Sequence, residues 1–345
     1  MGPVSEPIRP RRRGRLARSA AAFAALLGLA SYVAFHQMTG SSGTPRCSVG
    51  TGDNRYEFTP EQASNAAMIS AVGTTRGLPE RAVTIALATA LQESALRNIE
   101  HGDRDSLGLF QQRPSMGWGT PAQIMDPVYA SGKFYDGLEK VPGYSRLPLT
   151  VAAQKVQKSG FPQAYAKHEP DATLLSAALT GRSPAALSCT ASEAEGRPGD
   201  PEKVRAELVR AFGEKAAPTA VTGGPSAGRS AAGPPVLVVP VRSAAGSRDA
   251  AADARRGWEL AQWAVARAET LRITEVVYGD RVWRAGEARG GWSKVSGSSK
   301  SSSKSSSEGS SKPSSEGSSE GSEGSAETPG TPASGGEYVR MRLAQ

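Results

Sequence analysis

The sequence predicts a mainly α-helical domain behind a single N-terminal transmembrane helix, followed by a small α+β module that a disordered Ser/Gly-rich insertion interrupts. Three observations carry this expectation. An apolar run follows a basic tail, a string of capped helical segments lies between the only two cysteines, and a serine tract precedes a last strand-patterned segment. The chain has 345 residues, enough for two modest domains. Aromatics make up 6% and Gly, Pro and Ser are plentiful, so part of the chain lies outside any packed core.

The formal charge is +8, but six arginines (Arg9, Arg11, Arg12, Arg13, Arg15 and Arg18) sit in the first eighteen residues. The excess is a local tail, which argues against nucleic acid as a partner and leaves weak attraction to an anionic cell wall. Residues 1–19 read as a basic cytoplasmic tail. "AAAFAALLGLASYVAFHQM", residues 20–38, follows directly. At ~1.5 Å per residue it spans roughly the ~30 Å of a bilayer's hydrocarbon core. The basic flank places the N-terminus in the cytoplasm and the bulk outside. The stretch after the run has no A-x-A site, which favours an uncleaved signal anchor; secretion after signal cleavage is the competing reading. Residues 39–46 are a spacer.

Cys47 and Cys189 are the only cysteines. In an exported chain such a pair reads as one disulfide, with two unpaired thiols as the alternative, and it delimits the helical domain, 47–190. Two cysteines and three scattered histidines (His36, His101, His168) offer no metal-ligand cluster, and no cofactor motif is present. "TPEQ" supplies a capping box at Thr59 with Pro60 at the first helical position, and Gly77 ends that helix. "PERAVTIALATALQESALRN" is apolar almost all round, as a helix buried in mid-domain must be. A loop-rich stretch follows, then helices from Asp126-Pro127, from Thr150, and in "PQAYAKHE" and "DATLLSAAL".

Residues 191–233 read as a linker with one helix, "DPEKVRAELVRAFGEKA". The second module, 234–292 and 337–345, has a strand in "PPVLVVPV" and an amphipathic helix in "GWELAQWAVARAETL". A hairpin follows in "ITEVVYGDRVWRAG", turning at Gly279-Asp280. Residues 293–336 are Ser/Gly-rich and expected to be disordered. "EYVRMRLAQ" then alternates Val339, Met341 and Leu343 with polar neighbours, which is strand patterning.

Glu93 sits near the end of the most hydrophobic helix. Glycosidic cleavage needs a carboxylic acid that stays protonated near neutral pH. Apolar burial and the negative end of a helix both push a glutamate that way. The "SLGLFQQ" turn behind it lets backbone and amides approach a sugar, and Gln111 and Gln112 can donate and accept hydrogen bonds. Alternatively, Glu93 is a solvated residue at a frayed helix end. Trp118 is either a sugar-stacking platform or core; Tyr129, Phe134 and Tyr135 have core spacing.

"ALQESALRN" followed by "DSLGLFQQRPSMGW" resembles the signature of the lysozyme-like superfamily, in particular soluble lytic transglycosylases and goose-type lysozymes. With "GWGTPAQIMDPVYA" and "LTVAAQKVQ…FPQAYAKHE" it is also similar to exported actinobacterial cell-wall proteins. The resemblance covers roughly residues 58–169. It implies a lysozyme-like fold for 47–190 with Glu93 as general acid/base and Ser94 orienting beside it. Ser106, Gly108, Leu109 and Gln111 would line the cleft floor, and Tyr165 would sit near the glutamate. The partner it implies is the peptidoglycan glycan strand, cut between N-acetylmuramic acid and N-acetylglucosamine. The loop before Gly108 is longer than in that pattern and carries Asp103 and Asp105. Either could be the second carboxylate of a hydrolase, or both belong to a solvated turn and the N-acetyl group assists, giving an anhydro-sugar.

The second module more weakly resembles zinc D-alanyl-D-alanine peptidases in degenerate form. "SAAGSRDAAADA" and "EYVRMRLA" lack that family's histidines, which leaves Asp253 alone and argues against peptidase activity. Trp258, Trp263, Trp283 and Trp292 read as its core. Two functions therefore stand: a wall glycosidase, and a non-catalytic wall-binding or envelope scaffold that keeps the lysozyme fold. A transport or metal-handling membrane protein is argued against by the single apolar segment and the absent ligand cluster.

Overall fold

The computed structural model describes residues 44–52, 54–190, 197–222, 233–242, 249–295 and 336–345. The expected membrane segment and nearly all of the expected Ser/Gly-rich insertion lie outside these residues. Among the described residues no helix is long and apolar enough to cross a membrane. The described residues between Pro45 and Gln345 form one compact unit.

Its architecture corrects the expected fold class. In place of a mainly α domain with a small α+β module appended, the described residues combine helices and two antiparallel sheets in one mixed unit. The first sheet lies within the stretch expected to be helical. Strands β1 (Cys47–Thr51) and β2 (Asn54–Phe58) form a hairpin, and β3 (Leu187–Cys189) pairs on the other side of β1. Cys47 and Cys189 are register partners and are joined by the disulfide. Closing a loop with a sequence separation of 142 stabilises the fold by about 5 kcal/mol in the chain-entropy picture.

Helix α1 (Pro60–Thr75) starts at the expected capping box, with Thr59 and Gln62 bonded reciprocally. Helix α2 (Glu80–Ser94) is buried continuously from Ala82 to Leu91, as its all-round apolar surface demands. After α3 (Pro121–Ile124), α4 (Pro127–Glu139) is capped by Asp126 and packs on α1, where the Tyr135 hydroxyl donates to Ile69 O at 3.0 Å. A Cβ on Gly73 would come within 2.7 Å of that hydroxyl, so glycine is what allows the approach. Helices α5 (Leu149–Gln157) and α6 (Glu169–Leu179) complete the layer around α2.

The segment read as a linker helix is α7 (Pro201–Phe212), which packs on α1 through Val204, Leu208, Ala211 and Phe212. Strands β4 (Ala220–Thr222), β5 (Val236–Pro240), β6 (Ile273–Tyr278), β7 (Arg281–Arg284), β8 (Ser293–Lys294) and β9 (Tyr338–Leu343) form a sheet in the order β4-β5-β9-β6-β7-β8. The strand pattern of the last residues therefore lies mid-sheet, between β5 and β6. The hairpin turn between Tyr278 and Arg281 is Gly279-Asp280.

Helix α8 (Ala250–Ala266) explains why the unit is not a domain plus an appendage; the short α9 (Ala268–Leu271) follows it. Leu260, Ala261, Trp263, Ala264, Val265 and Ala266 are all buried, so α8 needs cover on two sides. It contacts β6 and β9 of the larger sheet, and also α1, α6 and β3. Gln262 is fully buried and makes four bonds: Oε1 accepts from Ala186 and Leu187 N–H, and Nε2 donates to Ala178 and Ser183 carbonyls. Nearby, Arg267 reaches Ser64 at 2.9 Å and Glu207 at 2.6 Å. The amphipathic pattern expected of this helix accounts for one buried face only.

Candidate active site

Glu93 is the penultimate residue of α2. The chain reverses directly after it through Ala95 (φ 53°) and Leu96 (φ 58°), two left-handed positions occupied by residues other than glycine. Such positions cost roughly 1–2 kcal/mol each. The N–H groups of Ala95 and Leu96 cap the carbonyls of Leu91 and Ala90. Helix α1 catches the two carbonyls of the reversal itself, Gln62 Nε2 bonding Ala95 O and Asn65 Nδ2 bonding Leu96 O, both at 2.8 Å. Of the seven described non-glycine residues with positive φ, Ala95, Leu96, Arg104 and Gln111 lie in the loop and hairpin behind Glu93, and Lys158 follows Gln157. Strain of this kind gathers where surrounding structure holds a site in place.

The glycine turn is a tight hairpin. Leu107 and Gln112 exchange two backbone bonds of 3.0 Å, with Gly108 (φ 74°) and Gln111 (φ 48°) turning the chain between them. A Cβ on Gly108 would lie 2.7 Å from Ile124 O, so glycine is required there. Ser94 Oγ donates to Leu109 O at 2.8 Å and so fastens the hairpin to the helix end. Gln157, from the end of α5, donates to Phe110 O at 2.7 Å.

Tyr165 comes from the 3-10 segment Pro162–His168 and is fully buried. Its hydroxyl donates to Glu93 Oε1 at 2.7 Å. Burial pushes the Glu93 carboxyl above the ordinary glutamate value, while hydrogen bonds from Tyr165 and Gln157 offset part of the rise. The Tyr165 phenol is itself pushed up, first by burial and then by the Glu93 charge. A partly buried carboxyl with a raised pKa and a fixed donor on Oε1 keeps its proton to higher pH than an exposed glutamate, which suits it to give that proton to an oxygen.

The other sequence-selected residues divide into several groups. Ser94 and Gly108 shape the hairpin. Ser106 is buried, and its N–H bonds Asp103 O. Gln111 donates to Gly108 O and lies over Gly102, where a Cβ would meet its Oε1 at 1.8 Å. Gln112 is 1% exposed and donates to Ala130 O, so its amide serves the interior. Trp118 is half-buried against the core edge. Asp105 is taken up by Arg113 Nε and Ser115 N–H, both at 2.8 Å, which hold its carboxyl far below the usual range. Asp103 is exposed, and its carboxylate has no partner among the described residues. Sequence reasoning read Gln62 only as part of the capping box and did not single out Gln157 or Asn65, because these roles come from contacts across the fold; nor did it single out Phe161, which is 78% exposed at the start of the Tyr165 segment. Among the described residues no group of three or more His, Cys, Asp or Glu is placed to hold a metal ion.

These features define a buried-carboxylate site in a mixed helix–sheet protein. Comparison with protein families finds one described as VldE, C-terminal domain, whose model matches residues 239–305, a stretch with α8, β6 and β7 that does not include Glu93. No curated protein matches the chain.

Proposed function

We propose that this protein cleaves peptidoglycan glycan strands between N-acetylmuramic acid and N-acetylglucosamine, with Glu93 as general acid and then base. The observation that carries the reading is the Glu93 carboxyl: partly buried, raised in pKa, bonded by Tyr165 and set beside a hairpin fastened through Ser94. Its resemblance to the lysozyme-like signature adds the substrate class. The Cys47–Cys189 disulfide accords with an extracytoplasmic place of work.

In the proposed reaction Glu93 gives its proton to the glycosidic oxygen as the C1–O bond breaks. The carbonyl oxygen of the neighbouring N-acetyl group attacks C1 from the opposite side. The C6 hydroxyl then displaces that oxygen, and the Glu93 carboxylate takes the hydroxyl proton, leaving a 1,6-anhydro sugar and the enzyme in its starting state. Both Asp105 oxygens are engaged by Arg113 and Ser115, which argues against Asp105 as the second carboxylate of a hydrolase and leaves only the exposed Asp103 for that role. A proton donor of this kind contributes about 10²–10⁴ in rate.

The full chain and Glu93→Gln should be compared for co-sedimentation with isolated peptidoglycan and for release of soluble fragments. The expected result is equal sedimentation and release by the wild type alone. Sedimentation without release by either protein would leave a wall-binding scaffold in its place.

A further inference from the structure

We propose that a second site, at the far end of α2 from Glu93, binds a small organic oxyanion: a phosphate or carboxylate on an apolar body. It is a cavity of about 820 Å³, within the range of small-molecule sites. Glu80, the first residue of α2, is in its wall. Thirteen residues at ~1.5 Å each separate it from Glu93 by roughly 20 Å, so the two sites are distinct.

The lining has an apolar part and a charged part. Leu78, Pro79 and Phe212 supply the apolar surface. Five basic and three acidic residues supply the charge. Four of these eight cancel in pairs: Arg182 bonds Glu80 at 2.6 Å, and Arg256 bonds Glu259 at 2.8 Å while lying 4.5 Å over the Phe212 ring. Lys215, Arg242 and Arg255 remain, against the single acid Glu214. None of these four has an ion pair or side-chain hydrogen bond among the described residues.

Three unmatched cations around one opening repel each other in the empty protein, and an anion between them relieves that repulsion. The uncharged polar groups point elsewhere. Thr75 Oγ1 donates to Ala211 O, Thr180 Oγ1 to Ser176 O, and Thr74 Oγ1 to Glu259. The cavity thus offers charge and apolar area with few free hydroxyls, which suits an amphiphilic anion and not a neutral glycan.

Isothermal titration of the full chain with phenyl phosphate, benzoate and inorganic phosphate tests the assignment. One of the two aromatic anions should bind saturably at one per chain, more tightly than inorganic phosphate, and which one binds separates phosphate from carboxylate. Binding should weaken in about 0.5 M salt, where charges are screened within a few Å. Lys215→Ala and Arg255→Ala should each weaken it about tenfold, the scale of one charge-assisted bond. The exposed Lys203→Ala, outside the cavity, and Glu93→Gln should bind as the wild type does, so failure here and failure at Glu93 are separately visible. All these residues except Glu93 are exposed, and unchanged melting would show that the variants fold. No saturable heat with either aromatic anion, or binding unmoved by the Lys215 and Arg255 variants, would overturn the proposal.

Discussion

Burial of Glu93 costs stability once its carboxyl is ionised. A carboxyl whose pKa is raised on folding adds stability while protonated, below the ordinary glutamate value of about 4.3; that stability is lost as pH rises through the raised value. Glu93→Gln keeps an acceptor for Tyr165 and removes the charge. It should therefore melt higher than the wild type at pH 7 and together with it near pH 3. Equal melting at both would contradict the burial. The Tyr165 hydroxyl stabilises the ionised form, so Tyr165→Phe should move the alkaline limb of the pH–rate profile upward; a downward shift would contradict that role. Glu93 was legible because its place at the end of an all-apolar helix has physical consequences. Tyr165 was legible only through resemblance, and Gln157 not at all, since nothing in "AAQKVQ" says that the last amide reaches Phe110.

Around that carboxyl, short elements hold one another. The stretch from Ala95 to Arg113 has little regular structure, yet Asp105 ties it to Arg113 and Ser115. Its carboxyl is held low, so it adds stability above about pH 3.9, lost as the pH falls through the depressed value. Asp105→Asn should lower the melting temperature at pH 7, with the gap closing in strong acid; a gap independent of pH would contradict an electrostatic tie. The glycine turn was legible in "SLGLFQQ" because Gly108 takes a positive φ. The β1–β2 hairpin was not. Of its residues only Cys47, Val49 and Phe58 are fully buried, too few to announce a two-residue period. Its place is set by pairing and by a disulfide whose geometry no local pattern carries.

Across the whole molecule, α8 decides the outcome. A helix with one apolar face suits a small separate module; this one is buried on two, with Gln262 bonding four backbone groups of the segment Ala178–Leu187. That double burial was hard to read because Glu259, Gln262 and Arg267 look like a solvated face until their partners on other elements are known. Gln262→Leu should cost about 3 kcal/mol or more, by stranding buried donors and acceptors. The wild type from Pro45 onward should unfold in one calorimetric transition, and two separable transitions would contradict a shared core. The chemistry is tested most directly by mass spectrometry of the soluble products that the full chain releases from isolated peptidoglycan, with Glu93→Gln beside it. Anhydro-muropeptides from the wild type, and none from a Glu93→Gln protein shown to be folded, are the expected result. Equal release by both, or release of reducing-end sugars, would contradict the account of Glu93 as the proton donor of an anhydro-forming cleavage.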